Sequence, residues 1–278
     1  MTTPTCLICD SEMQFYFQKD KYHAPSMDVL TRDLVPVLFY ECPRCHFLSS
    51  KTHKEIPFQR WEKLNTDYHH HHSESGGRSV SGFNAPPYIE QALMIELLAR
   101  HNVVDVSSVL DYAAGYGRLS HLLRKYFNRD IPCYDKYVRN PEHHYIDEPQ
   151  KKTWSMVINS AMFEHVLTRQ DLDDVNDLVS DNGSLLIHTV VVDRIPKDPA
   201  WFYTDVPVHT VVHTNKSMNI LMEQWGYRSS IYSPKSKCWI LLREPYATVK
   251  PRIEQINDEL QTCWFYGKDG FMDYWKTR

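Results

Sequence analysis

Two cysteine pairs, Cys6-x2-Cys9 and Cys42-x2-Cys45, constrain this chain more than any other feature. Each pair can present two thiolates from a tight turn to one tetrahedral metal, and chance rarely sets two such pairs in one short segment. The strand-like pieces between them, such as the run from Val35 to Glu41, are too short to build a core unaided. Residues 1–60 are therefore expected to form a zinc-binding domain stapled by Cys6, Cys9, Cys42 and Cys45. Four thiolates close every coordination position, which makes the metal structural and leaves no vacancy for His46 or His53; iron would suit the same ligands. Cys133, Cys238 and Cys263 read as small buried hydrophobes.

A chain of 278 residues has room for one main core and a small appendage. Its net charge of -4 provides no global field toward phosphates, so nucleic acid is not an expected partner. No apolar run is long enough to cross a bilayer, and the first residues lack a basic region followed by an apolar stretch. Metal-spaced cysteines suit a reducing compartment, and the expected location is the cytoplasm.

The tract from Asn65 to Pro87 is polar and glycine-bearing, so residues 61–87 are expected to be a linker or lid; the only low-complexity run, His69 to His72, reads there as an exposed loop. From 88 to 248 the pattern alternates between helical and strand periods, as in a doubly wound, mostly parallel α/β sheet. A helix is expected after Tyr88, a short strand at Val109–Tyr112, and a helical face of Leu119, Leu122, Leu123, Tyr126 and Phe127. Further strands are expected around Cys133, across Ser155–Ser160, from Ser184 to Val192 after a turn at Ser180–Gly183, and in a pair ending at Cys238–Glu244. Thr214 is placed to cap a helix that Gly226 ends. Residues 249–278 read as a helix and an aromatic tail, docked on the main domain or on a second copy in a homodimer.

The small residues Ala113, Ala114, Gly115 and Gly117 sit where a strand ends and a helix begins, which lets the backbone approach a ligand closely. Asp135, at the end of the next strand, is placed to accept hydrogen bonds from the two hydroxyls of a ribose. Together with the segment Met156–Val166, which contains Glu164-His165, these motifs resemble class I S-adenosylmethionine (SAM)-dependent methyltransferases, in a Rossmann-like fold, over residues 88 to 245. The resemblance implies that Asp111 and Gly115 to Gly117 line the methionine part of SAM, that Asp135 holds its ribose, and that Asp147 reaches its adenine. It implies that Asn159, Ser160 and Ala161 form the wall beside the methyl group. Ala113 stands where the family usually has glycine. The cysteine pairs also resemble the zinc domain that precedes the catalytic domain in some sugar methyltransferases.

An aliphatic hydroxyl is hardly ionised at neutral pH, so its methylation calls for a base, and histidine is the natural choice. His165 with Glu164 follows the fourth-strand segment, while His209 and His213 lie in a loop rich in aromatics that includes Trp201, Phe202 and Tyr203. The expected activity is SAM-dependent O-methylation of a sugar, surface glycan or other small molecule. Two alternatives stand beside it: a non-catalytic zinc and nucleotide-fold assembly protein, favoured by Ala113, and an NAD-dependent oxidoreductase, whose ribose would use the same acid.

Overall fold

Strands too short to bury a face alone must recruit partners, and the N-terminal strands recruit theirs from far along the chain. The computed structural model describes residues 3–23, 28–74 and 86–273. It divides into two units of three stretches each: Met1–Ala85, Glu164–Asp171 and Val190–Ile220 in the first, and Pro86–Phe163, Leu172–Thr189 and Leu221–Arg278 in the second.

The chain begins with β1 (Gln14–Lys19), α1 (Asp28–Thr31), β2 (Val37–Glu41), β3 (Leu48–Ser50) and α2 (Lys51–Glu55). Next comes α3 (Phe58–Glu74), which buries Trp61 and Leu64. The polar tract expected to be a linker from Asn65 is thus helical through Glu74, including the His69–His72 run, because the apolar anchors of the preceding turn carry the helix into it. The remainder of the expected lid, residues 75–85, lies outside the described residues.

In the second unit α4 (Tyr88–Arg100) buries Gln91, Met94, Ile95 and Leu98 at helical spacing. Then follow β4 (Val109–Tyr112), α5 (Arg118–Phe127), β5 (Cys133–Tyr134) and β6 (Trp154–Ser160). Leu119 and Leu123 of α5 are buried, but Tyr126, expected on the same face, is 59% exposed. A 3-10 turn at Phe163–His165 leads to α6 (Arg169–Leu178) and β7 (Val179–His188).

Ser180–Gly183, expected to be a turn before the strand, lies inside β7 instead. There the pairing with β6 slips from Trp154–Val179 to Met156–Ser184, so the polar residues form a bulge. The long apolar strand expected to run on to Val192 stops at His188, and its last residues form β8 (Val191–Val192) in another sheet. The chain continues through β9 (Val211–Thr214), α7 (Asn215–Gln224), the strands β10 (Ser229–Ser233) and β11 (Cys238–Leu242), α8 (Tyr246–Glu259) and β12 (Tyr266–Asp269).

The first unit holds a five-stranded sheet in the order β1-β2-β3-β9-β8. Pairing of Leu48 with Val212 and of Ser49 with Val211 joins the cysteine-bearing hairpin to residues far downstream. Phe17, Val37, Phe39, Leu48, Val208 and Val212 are among the residues of its core.

The second unit holds a seven-stranded sheet in the order β12-β10-β11-β7-β6-β4-β5. It is a mixed α/β sheet, not the mostly parallel one expected: β5, β4, β6 and β7 pair in parallel, whereas β11 pairs antiparallel with both β7 and β10, and β12 antiparallel with β10. The cause is local. β10 and β11 are joined by a short turn, and strands so joined must run in opposite directions. The aromatic tail contributes β12 at the sheet edge.

Thr214 caps α7 as expected: its hydroxyl accepts from the Ser217 amide at 3.1 Å, and the Ser217 hydroxyl accepts from the Thr214 amide at 2.9 Å. The Thr214 hydroxyl also donates to the Cys45 carbonyl at 2.6 Å. Thr214→Ala should therefore lower unfolding free energy by about 1–2 kcal/mol, the upper part of the range for a lost cap. Thr214→Ser should retain most of it in denaturant titrations, and an unchanged midpoint for the alanine variant would refute the assignment.

Candidate functional site

The four cysteines converge in the first unit through two turns of matching design. The Asp10 amide donates to the Cys6 carbonyl at 3.1 Å, and the His46 amide to the Cys42 carbonyl at 2.8 Å. Asp10 and His46, each directly after the second cysteine of its pair, both take left-handed backbone, with φ of 56° and 61°. Sγ separations are 3.5 Å for Cys6–Cys45, 3.5 Å for Cys9–Cys42 and 3.7 Å for Cys9–Cys45. A tetrahedron with Zn–S bonds of about 2.3 Å has edges of about 3.8 Å, so the thiolates fit a zinc ion with little movement. His46 approaches Glu41 at 3.3 Å, and His53 is buried between the Ser50 hydroxyl and the Pro207 carbonyl.

In the second unit the strand order reverses at β4: β5 lies on one side and β6 on the other, both parallel to it. At such a switch point the carboxyl ends of neighbouring strands diverge and leave a crevice. The register sets Tyr112 beside Asn159, and Ser160 beside His188. Several buried polar atoms near these strand ends have no hydrogen-bond partner among the described residues: Asp111 Oδ2, Asn159 Oδ1, His188 Nδ1 and Gln91 Nε2. Burial, followed by the charge of Asp135, pushes the Asp111 carboxyl up to about 7. Burial pushes His188 down to about 4.

Gln91 was not among the sequence candidates. Its side-chain oxygen accepts from the Ser160 hydroxyl at 3.0 Å, and the signal for it was an amide on the apolar face of α4.

The turn after β4 has the backbone of a glycine-rich loop, with left-handed φ at Ala113 (60°), Gly115 (56°) and Gly117 (72°). Ala113 thus adopts a left-handed conformation that favours glycine, at a cost of roughly 1–2 kcal/mol. A Cβ added at Gly115 would meet nothing within 4 Å, whereas one at Gly117 would meet the His143 ring at 2.7 Å. The Tyr145 hydroxyl, also missed from sequence, donates to the Gly115 carbonyl at 2.5 Å.

Asp135 accepts from the amides of Gly115 (2.8 Å), Tyr137 (2.8 Å) and Val138 (3.0 Å). Of about four lone-pair sites on a carboxylate this leaves one, so Asp135 orders the loop and has a single acceptor position to spare, not the two expected for a ribose. A parallel bridge between Cys133 and Tyr145 sets Asp147 at the level of Asp135, each two residues beyond the bridge. The Asp147 side chain is 94% exposed and paired with Arg139 at 2.8 Å.

Of the residues expected to carry the chemistry, Glu164, His165 and His209 come together in the first unit, each with one ligand atom within 4.8 Å of the others. His213 does not join them: it is buried in β9 with its ring edge-on to Phe47. Burial first, then the neighbouring His209 and His69, holds His165 well below the usual imidazole range. His209 donates from Nδ1 to the Tyr203 carbonyl at 2.7 Å, with the Tyr203 ring against its own at 4.4 Å. Of the other aromatics in that loop, Trp201 packs at the first unit's core and Phe202 is exposed.

No family model matches the chain, and no curated protein matches it. Solved structures do. The chain is similar to the MccD protein (19% identity, 37% of this chain and 54% of that one, TM-score 0.29). It is similar to an O-methyltransferase family protein from Burkholderia thailandensis (14%, 67% and 60%, TM-score 0.44). A third is the 1,6-didemethyltoxoflavin-N1-methyltransferase of the same organism, solved with S-adenosylhomocysteine (14%, 75% and 94%, TM-score 0.42). The chain thus spans little more than half the length of the first two.

Two outcomes are expected. The purified protein should hold about one zinc on the four thiolates, and Cys42→Ser should lose both metal and stability; full metal content by elemental analysis in that variant would refute the ligand set. The second concerns Asp111. Its folded-state pKa is raised, so between about pH 4 and about pH 7 the unfolded chain releases a proton that the native state keeps, and stability falls as pH rises through that window. Asp111→Asn should remove this slope and gain on wild type between about pH 5 and about pH 8 in urea titrations, whereas an equal difference at both would contradict the assignment.

Proposed function

We propose that the chain is a SAM-dependent methyltransferase acting on a hydroxyl of a sugar, surface glycan or other small molecule. The observation that carries this reading is the switch point of the second unit, where a glycine-like turn follows β4 and buried acceptors of Asp111 and Asn159, on adjacent strands, have no partner among the described residues. Unsatisfied buried polar atoms cost roughly 1–3 kcal/mol each, and a ligand that hydrogen-bonds them recovers that loss. In this reading Asp111, Ala113, Gly115 and Gly117 hold the methionine part, where a cationic amine would favour ionised Asp111. Asp135 accepts from one ribose hydroxyl while fixing the loop, Asp147 takes the adenine edge, and Asn159, Ser160 and Ala161 form the wall beside the methyl group. SAM, when bound, would supply a methyl group that passes to the acceptor oxygen as its bond to sulfur breaks, with S-adenosylhomocysteine as the leaving group and the hydroxyl proton lost to a base.

In this reading His165, His209 and Glu164 of the first unit are the candidate groups for managing the acceptor's proton. The exposed segments of the aromatic loop offer a face for a sugar ring. Ala113 and the nearly saturated Asp135 favour the rival reading, a non-catalytic zinc and nucleotide-fold assembly protein.

Calorimetric titration separates the two. SAM should bind the wild type in competition with S-adenosylhomocysteine, and Asp111→Ala should bind it at least about tenfold more weakly, as expected for loss of a hydrogen bond to a charged group. With an acceptor in hand, His165→Ala and His209→Ala should lower turnover by roughly 10²–10⁴-fold with SAM affinity nearly unchanged. Absence of SAM binding by the wild type would overturn the reading.

A further inference from the structure

We propose that Glu164, His165 and His209 form a second metal site, for a first-row divalent cation such as zinc, distinct from the four thiolates. It rests on the placement of three side chains within the first unit and stands whether or not the chain transfers methyl groups. Glu164 and His165 are adjacent on the 3-10 turn, and His209 comes from the loop before β9. Thr210 fastens the two segments: its amide donates to the Glu164 carbonyl at 2.8 Å and its hydroxyl to the Val166 carbonyl at 2.5 Å. The residue that brings His209 to the pair is therefore its own chain neighbour.

Three atoms that all lie within 4.8 Å of one another are each within about 2.8 Å of a common centre, so bonds of about 2.0–2.2 Å need shifts of at most about 0.6–0.8 Å.

The outer contacts match those of a metal-bound imidazole. A carbonyl can only accept, so the bond from His209 Nδ1 to Tyr203 fixes the proton on Nδ1 and makes Nε2 the basic, metal-binding nitrogen of the ring. The Tyr203 ring against His209 and the His69 ring stacked on His165 at 6.3 Å limit how the two imidazoles turn. Glu164 is 3% exposed, and a carboxylate buried beside two imidazoles is stabilised by a cation among them. Two imidazole nitrogens and one carboxylate oxygen suit zinc, iron or cobalt better than magnesium or calcium. Three protein ligands leave a coordination position open to a water or hydroxyl oxygen, which ionises more readily on the metal.

The test is titration of zinc alone into the full-length protein with its thiolate site already filled. A second, weaker equivalent should appear by calorimetry, and Glu164→Gln, His165→Ala and His209→Ala should each weaken it at least about 100-fold while the first equivalent stays. Melting temperatures without added zinc show whether each variant is folded, and because loss of any one ligand has the same expected effect, one folded variant suffices. Changing His70, His71 and His72 together to Gln should leave the second equivalent in place. The proposal is overturned if wild type takes up no second equivalent, if the ligand variants retain it unweakened, or if only the histidine-tract variant removes it. SAM titration of the same samples reads the methyltransferase proposal separately.

Discussion

Strand β4 is hydrogen-bonded on both sides by parallel neighbours, β5 and β6, and the second unit's site follows from that pairing. A central parallel strand is covered on its edges and faces, so only its carboxyl end is free to meet a ligand. Asp111 and Tyr112 stand at that end, and the register carries Asn159 and Ser160 to the same level from β6. The turn that follows must reverse direction at once into α5, which is why three positions there take left-handed backbone. Asp135 then locks the turn by accepting the Gly115 amide, and its charge adds to burial, the larger cause, in raising the proton affinity of Asp111.

The first unit rests on a different kind of constraint. Its hairpins are short, and their ends are set by two turns of the same geometry, each closed by an amide that reaches back to the first cysteine's carbonyl. Because Thr214 donates to the Cys45 carbonyl while capping α7, one side chain ties the second knuckle to the start of a helix. A metal on the thiolates would therefore stabilise more than the loops that carry it.

What was legible in the sequence was local. Cysteine spacing, the small residues after β4 and the Thr214 cap depend on residues a few positions apart, and each appears where its pattern put it. Pairings over long separations were not legible. Nothing around Val211 announces that it lies beside Ser49, nor does the aromatic tail announce an edge strand, since β pairing is decided by tertiary context. Ser180–Gly183 carried a turn composition that a strand can also absorb as a bulge. Asp135 was in the expected place, but its backbone partners were not in view, because they depend on how the loop folds back. Within the histidine group, His209 and His213 were indistinguishable by composition; β9 turns one into the core, and the loop before it leaves the other beside Glu164.

Each unit is woven from three stretches of chain, so the polypeptide passes from one to the other and back before either is complete. A gene fragment ending before residue 164 would encode all four thiolates and yet lack both β9, which pairs with β3, and Thr214. The cysteine-bearing part is consequently not a bead on a string that recombination could transfer intact to another protein. On the ribosome its sheet must wait for most of the second unit to be synthesised before its last strands exist to join it.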